Sequence, residues 1–252
     1  VVTGASAGLG AHFARLFAQD RHDVVLVARR RDKLDQLATE LRQAHGVETT
    51  VIAADLSDPK APLHLYEELT RAGVEVEFLV NNAGFGANGA FTELELSHQL
   101  DMIEVNIKAL THLTGLLLPT MIARRSGRIL NVGSGAGFLP GPFMATYYAS
   151  KAYVVSFTEA LADELRGTGV TATVLCPGPT ATEFAHVAGA GNAAMFKGVA
   201  DASSVAEYGY RAMLAGKTIA IPGITMKLAL QSLRMSPRSV TRVLARWLNQ
   251  PA

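Results

Sequence analysis

The sequence predicts an α/β domain: a doubly wound parallel sheet of about seven strands with helices on both faces. Three observations carry that prediction. Short β-branched runs alternate with longer segments of helical period along the 252 residues, and repeated strand–helix–strand order builds parallel sheets. The stretch 23–28 (DVVLVA) is almost continuously apolar, as a strand covered on both faces must be. A glycine-rich turn, Thr3-Gly4-Ala5-Ser6-Ala7-Gly8-Leu9-Gly10, sits between an opening strand and a helical pattern.

In chain order, residues 1–2 read as the end of a strand, so a short piece is expected before Val1. Leu9, Phe13, Leu16 and Phe17 recur at helical spacing and give the first helix. Further strands are expected at 23–28, 48–54, 78–81, 128–133, 170–176 and 217–221. Helices are expected at 33–44, 59–71, 97–124 and 147–166, with Pro119 kinking the end of the third. No linker, charge block or internal repeat divides the chain, so residues 1–252 form one domain. Its ligands belong beyond the carboxyl ends of the strands.

Composition narrows the function. Hydrophobic residues make up 49% and charged residues 18%, which excludes a disordered chain. With 23 Lys+Arg against 22 Asp+Glu, the net charge is +1, so bulk electrostatic binding of nucleic acid is not expected. A single cysteine excludes a disulfide framework or a cysteine metal cluster. The seven histidines show no metal-binding spacing, so no metal is expected. No apolar run of about 18 residues appears, and a cytoplasmic location is expected.

The glycines of the first turn allow the backbone to approach a pyrophosphate, and the helix N-terminus adds free N–H groups and partial positive charge. Their G-x-x-x-G-x-G spacing after a strand points to dinucleotide binding, and so to a Rossmann-type sheet. NAD sites usually place an acid at the end of the second strand. Here Ala28 is followed by Arg29, Arg30 and Arg31. A guanidinium binds a 2′-phosphate, whereas a carboxylate repels it. NADP(H) is therefore the expected cofactor, with Arg29 its foremost contact and Arg30 next; NAD(H) is the alternative.

Tyr147 and Lys151 are four residues apart at the start of a predicted helix, on one face. A nearby ammonium lowers a phenol pKa, so the pair can serve as general acid in reduction and general base in oxidation. Ser134, just past the fifth strand, can hydrogen-bond a substrate carbonyl.

Taken together, these motifs resemble the short-chain dehydrogenase/reductase family over essentially the full length. The matching residues are Thr3 to Gly10, Asp55, Asn81-Asn82-Ala83-Gly84, Asn106, Ser134 thirteen residues before Tyr147, Lys151, Pro177-Gly178 and Thr182. The resemblance implies that Tyr147 is the acid/base and that Ser134 orients the carbonyl or hydroxyl. It implies that Lys151 binds the nicotinamide ribose and depresses the tyrosine pKa, and that Asn106 holds a water linking Lys151 to solvent. Gly4, Ser6, Gly8, Leu9 and Gly10 would cradle the cofactor, Asp55 would meet the adenine, and Asn82 and Gly84 would line the cofactor path. Thr182 would contact the carboxamide or diphosphate side, while Leu56, Ala83, Pro177, Gly178 and Thr180 complete the cofactor contacts. It also implies a homodimer or homotetramer through the 97–124 and 147–166 helices, with Leu113, Leu116 and Leu117 on the apolar face of the first. There are two departures. Ala7 stands where many NADP-dependent relatives carry Arg or Lys, and Gly133 stands where Ser or Ala is commoner, which would enlarge the pocket.

The apolar run 138–144 and the segment 183–199, where the family places its substrate loop, suggest a small hydrophobic carbonyl or alcohol substrate: a ketone, a 3-oxoacyl thioester or a steroid-like ring. Phe138, Met144, Phe184, Met195 and Phe196 are the candidate pocket residues, with Gly189 and Gly191 suited to a mobile lid. Packing of the same side chains on the sheet or a second subunit is the alternative. Cys176 reads as a small buried filler.

Residues 208–252 contain seven Lys and Arg and no acid, so this segment carries +7 and the rest of the chain −6. Within it, 239–249 reads as an amphipathic helix, with Val240, Val243, Leu244, Trp247 and Leu248 at helical spacing and Arg238, Arg242 and Arg246 in a separate stripe. Docking of the apolar face on the protein itself is favoured; an anionic membrane surface or an anionic substrate carrier are the alternatives. A catalytically silent cofactor-binding scaffold would not need Asn106, Ser134, Tyr147 and Lys151 together, and an epimerase or dehydratase would need a larger C-terminal region.

Overall fold

The computed structural model describes residues 1–189 and 199–250. Its chain runs β1 (Val2–Thr3), α1 (Gly8–Gln19), β2 (Val24–Ala28), α2 (Arg31–His45), β3 (Thr49–Ala53), α3 (Ala61–Arg71) and β4 (Phe78–Asn81). Next come α4 (Leu96–Ile103), a π-helical turn (Glu104–Ala109), α5 (Leu110–Ala123), β5 (Gly127–Val132), a 3₁₀ turn (Gly135–Phe138), α6 (Ala145–Glu164) and β6 (Val170–Leu175). The chain closes with α7 (Phe184–Val187), α8 (Ala202–Leu214), β7 (Ile219–Ala220), α9 (Ile224–Met235) and α10 (Arg238–Asn249).

The seven strands form one parallel sheet in the order β3-β2-β1-β4-β5-β6-β7. The winding direction reverses between β1 and β4, which opens a crevice at their carboxyl ends. β2 is buried along Val24 to Val27, as its unbroken apolar run requires. On one face of the sheet α1, α2 and α8 bring Phe13, Phe17, Leu34, Leu41 and Met213 onto Leu26 and Leu130. On the other, α3, α5 and α6 bring Leu65, Leu69, Leu113, Leu117 and Leu161 onto Val27 and Ile129. The helices show why: in α2 the buried residues Leu34, Leu37, Ala38 and Leu41 fall at i, i+3, i+4 and i+7, one apolar stripe of a 3.6-residue period.

Three expectations are corrected. The 97–124 helix is not continuous. It widens into a π-turn at Glu104–Ala109, while Pro119 lies inside α5, which runs on to Ala123. The irregularity centres on Asn106, whose side chain is tied to neighbouring elements, and single π-turns recur at functional positions. Leu113 and Leu117 are spent in the protein's own core, so they are unavailable to a second subunit; Leu100, Ile103, Ile122 and Tyr153 are the exposed apolar groups of this helix pair. Helices α8 and α9 fall where the sequence pattern assigned none. The start of α8 is nonetheless signalled by Asp201, whose carboxylate accepts from the Ser204 N–H as an N-cap.

The C-terminal helix docks on its own chain, but not through the predicted face. Thr241, Ala245 and Asn249 are buried, whereas Val240, Val243 and Trp247 are 55%, 64% and 64% exposed. Asn249 explains the choice. Its Nδ2 donates to Pro142 O, its Oδ1 accepts from the Tyr148 hydroxyl, and its backbone O accepts from Asn88 Nδ2. Hydrogen bonds at one end therefore set the helix rotation, which hydrophobic spacing alone leaves open.

Candidate active site

A cleft of about 820 Å³ runs along the carboxyl ends of the strands, from Arg29 and Asp55 past Gly8 to Tyr147 and Lys151. Its phosphate end is the β1–α1 turn. Gly4 has φ +65°, and a Cβ on Gly10 would lie 2.2 Å from Gly4 O, so only glycine permits this close crossing of turn and helix. Asn82 braces the turn: its Nδ2 donates to Thr3 O and Gly4 O. The Thr3 hydroxyl in turn accepts from the N–H groups of Asn82 and Ala83. No side chain caps α1, which leaves its first N–H groups for an anion. This cradle fits the pyrophosphate of a dinucleotide. Ser6, Leu56, Ala83, Gly84, Pro177, Gly178, Thr180 and Thr182 also line the cleft, and Thr182 packs against Gly8.

At the end of β2 both arginines border the cleft. Arg30 is the engaged one. Its guanidinium donates to the Ser6 hydroxyl at 3.2 Å and pairs with Glu183 at 2.8 Å, spanning from the phosphate loop to the segment after β6. Arg29 is exposed. Sequence reasoning ranked Arg29 first and had no signal for Glu183, because the pair is separated by 153 residues. Asp55 accepts from the Ser57 N–H and hydroxyl, holding the turn after β3 at the cleft edge.

The reactive end is built from four elements. Tyr147 and Lys151 lie one turn apart near the start of α6, both buried. Lys151 Nζ donates to Val132 O at 2.7 Å and stands 5.9 Å from the Tyr147 ring centre. Ser134, from the end of β5, accepts from the Ala136 N–H, which locks its position on the 3₁₀ turn. The expected depression of the Tyr147 phenol by Lys151 is not found: burial pushes it up to about 12, with the Ser134 hydroxyl pulling the other way. Burial also brings Lys151 down to about 8. At neutral pH the phenol therefore holds its proton beside a charged lysine, the pairing needed to protonate an oxygen.

Asn106 reaches this site because of the π-turn. Its amide donates to Phe85 O and Ser150 Oγ and accepts from the Phe85 N–H. A Cβ on Gly84 would meet Asn106 Oδ1 at 2.9 Å and Lys151 Nζ at 3.4 Å, so both side chains flank that glycine. Both Asn106 N–H donors are used, and its remaining capacity is as an acceptor.

The predicted pocket residues divide. Phe184 lines the cleft, its ring 5.0 Å from that of Tyr147. Phe138 does not line it. The 3₁₀ turn carries that ring onto Leu110, Val154 and Val174 beneath the cleft, and Leu139 faces the cleft instead. Met144 is buried with Tyr147 and Tyr148 in the layer behind the wall. Met195, Phe196 and Gly191 lie outside the described residues. Gly133 does not enlarge the pocket: an added Cβ would meet Val174 Cγ2 at 2.8 Å, directed at the neighbouring strand. Sequence reasoning missed the outer wall, formed by Met226, Leu230 and Leu233 of α9 with Leu244 and Leu248 of α10. Their i, i+4 and i, i+7 spacings are the signal that was available. Cys176 is buried, and burial pushes its thiol up to about 12.

The chain is similar to known proteins in sequence and in fold. The family profile described as short chain dehydrogenase matches residues 1–193. Sulfoacetaldehyde reductase 2 of Chromohalobacter salexigens is 41% identical over 196 residues, covering 77% of each chain. The very-long-chain 3-oxoacyl-CoA reductase of Homo sapiens is 36% identical over 194 residues, covering 74% of this chain and 61% of that protein's length. Among solved structures, a short-chain dehydrogenase from Sphingobium yanoikuyae in complex with NADPH superposes with a TM-score of 0.82 at 31% identity, covering 94% of this chain and 95% of the other. A short-chain dehydrogenase/reductase from Burkholderia phymatum in complex with NAD gives 0.84 at 27% identity, covering 96% and 94%.

Proposed function

This chain belongs to the short-chain dehydrogenase/reductase family, and on that premise we propose that it reduces the carbonyl of a hydrophobic substrate with NADPH, Tyr147 giving the proton. Oxidoreduction with a nicotinamide cofactor follows from the family. The substrate class, the preference for NADP(H) and the residue roles are the proposal. The observation that carries it is the cluster of buried Tyr147 and Lys151 with half-buried Ser134, protonated for reduction, at one end of a cleft whose other end is the glycine cradle.

A bound nicotinamide would supply the hydride to the carbonyl carbon. The chain's own groups do the rest. Ser134 and Tyr147 hold the carbonyl oxygen by hydrogen bonds. The Tyr147 hydroxyl passes its proton to that oxygen as the carbon accepts the hydride, so ketone becomes secondary alcohol and the phenol becomes phenolate. Lys151, charged at neutral pH, stabilises that phenolate, and Asn106 fixes the surroundings from which the proton is restored. Arg29 and Arg30 with Ser6 offer donors for a 2′-phosphate, and Ala28 puts no carboxylate at the end of β2, the acid that does reach this corner, Glu183, being paired with Arg30. Leu139, Phe184 and the leucines of α9 and α10 favour an apolar substrate body. A homo-oligomer through α5 and α6 belongs to the same reading.

The test is consumption of NADPH or NADH with a panel of bulky ketones, quinones and 3-oxoacyl thioesters, with sulfoacetaldehyde as the polar member. Turnover of the apolar members with NADPH is expected. Turnover with NADH alone would overturn the cofactor reading, and turnover of sulfoacetaldehyde alone would overturn the substrate reading.

A further inference from the structure

We propose that the outer face of α9 and α10 docks on an anionic phospholipid surface, holding the apolar wall of the cleft at the membrane. The inference goes beyond the reaction above and rests on how these two helices distribute their side chains. Around α10 four sectors follow one another. Thr241, Ala245 and Asn249 are buried. Arg238, Arg242 and Arg246 come next, all exposed. Then come Val240, Val243 and Trp247, each more than half exposed, and beyond them Leu244 and Leu248 border the cleft. α9 repeats the division: Met226, Leu230 and Leu233 line the cleft, while Ile224, Leu228 and Met235 are 74%, 64% and 85% exposed.

An apolar ridge with a tryptophan, flanked by an arginine stripe, is the arrangement of a helix that lies in a bilayer interface. Contiguous exposed apolar surface of this kind marks an interaction site. Charge selects the occupant. No acidic residue occurs after Glu207, so a two-fold contact between copies through this ridge would bring arginine stripes together without carboxylates from either segment. Anionic headgroups supply the missing charge at about fivefold in affinity per basic residue. No helix among the described residues is long and apolar enough to cross a membrane, so the contact is with the surface. Because α9 and α10 are also the wall of the cleft, an amphiphilic substrate would reach Tyr147 from the lipid side.

Trp247 is the chain's single tryptophan and reports on this face directly. Its emission is measured with vesicles of phosphatidylcholine, with and without phosphatidylglycerol, alongside co-sedimentation. A shift to shorter wavelength and pelleting are expected only with the anionic vesicles, both weakened by salt. Val243→Glu should abolish both, and Arg238→Ser with Arg242→Ser should weaken binding about 25-fold, with the thermal melt of each variant showing that it folds. Unchanged emission with the protein left in the supernatant would overturn the proposal. So would equal binding to both vesicle types, or emission already shifted in buffer and reverting on dilution, which would place a second copy on the ridge.

Discussion

Removing the charge of Lys151 tests the electrostatics of the site. Its Nζ stands 5.9 Å from the centre of the Tyr147 ring. With that distance taken as the charge separation, an ammonium and a phenolate attract by about 3 kcal/mol at an effective dielectric of about 20. That equals about two pH units on the phenol, or about 100-fold in a step that forms phenolate. Lys151→Met should therefore lower kcat for ketone reduction at neutral pH by about two orders of magnitude. The wild-type pH profile carries the complementary signal. Burial holds Lys151 down to about 8 and Tyr147 up to about 12. As pH rises the lysine loses its charge first, while the phenol still carries its proton. The kcat/KM for NADPH, which reports the cofactor-free protein, should be level at neutral pH and fall above about 8, and that limb should be absent in Lys151→Met. The assay is loss of reduced-nicotinamide absorbance across a pH series. Wild-type kcat in the variant, or an identical alkaline limb in both proteins, would refute the reasoning.

Two further variants probe the rim of the cleft. Glu183→Gln frees Arg30 from an exposed ion pair worth at most about 1 kcal/mol, so NADPH should bind about two- to fivefold tighter by fluorescence titration, with NADH little changed; weaker NADPH binding would show that the pair clasps the cofactor instead. Asn249→Ala leaves the Tyr148 hydroxyl and Pro142 carbonyl without their partner, at a cost of about 1–3 kcal/mol. The urea midpoint should fall and KM should rise as α10 loosens from the cleft, and an unchanged midpoint would contradict the role given to Asn249.

Much of this fold was legible because it is written in local pattern. The unbroken apolar run of β2 and the stripe of α2 each determine their own element, and glycines at 4, 8 and 10 determine the turn between β1 and α1. Tyr147 and Lys151 could be paired from spacing because one helix carries both. What stayed hidden depends on distant partners. The π-turn exists where Asn106 meets Phe85 and Ser150, residues that share no local signal with it. The rotation of α10 is set by Tyr148 and Pro142, about a hundred residues away. Phe138 illustrates the converse error: an apolar side chain four residues after Ser134 reads as pocket, and one tight turn sends it to the core.

Tyr147→Phe tests the central claim most directly, because it removes one oxygen and leaves the ring packed against Phe184. NADPH affinity and ketone reduction would be measured on the same preparation. The account predicts unchanged NADPH affinity and a loss of turnover of about 10²- to 10⁴-fold, the range for a lost general acid. Turnover at the wild-type rate would contradict it.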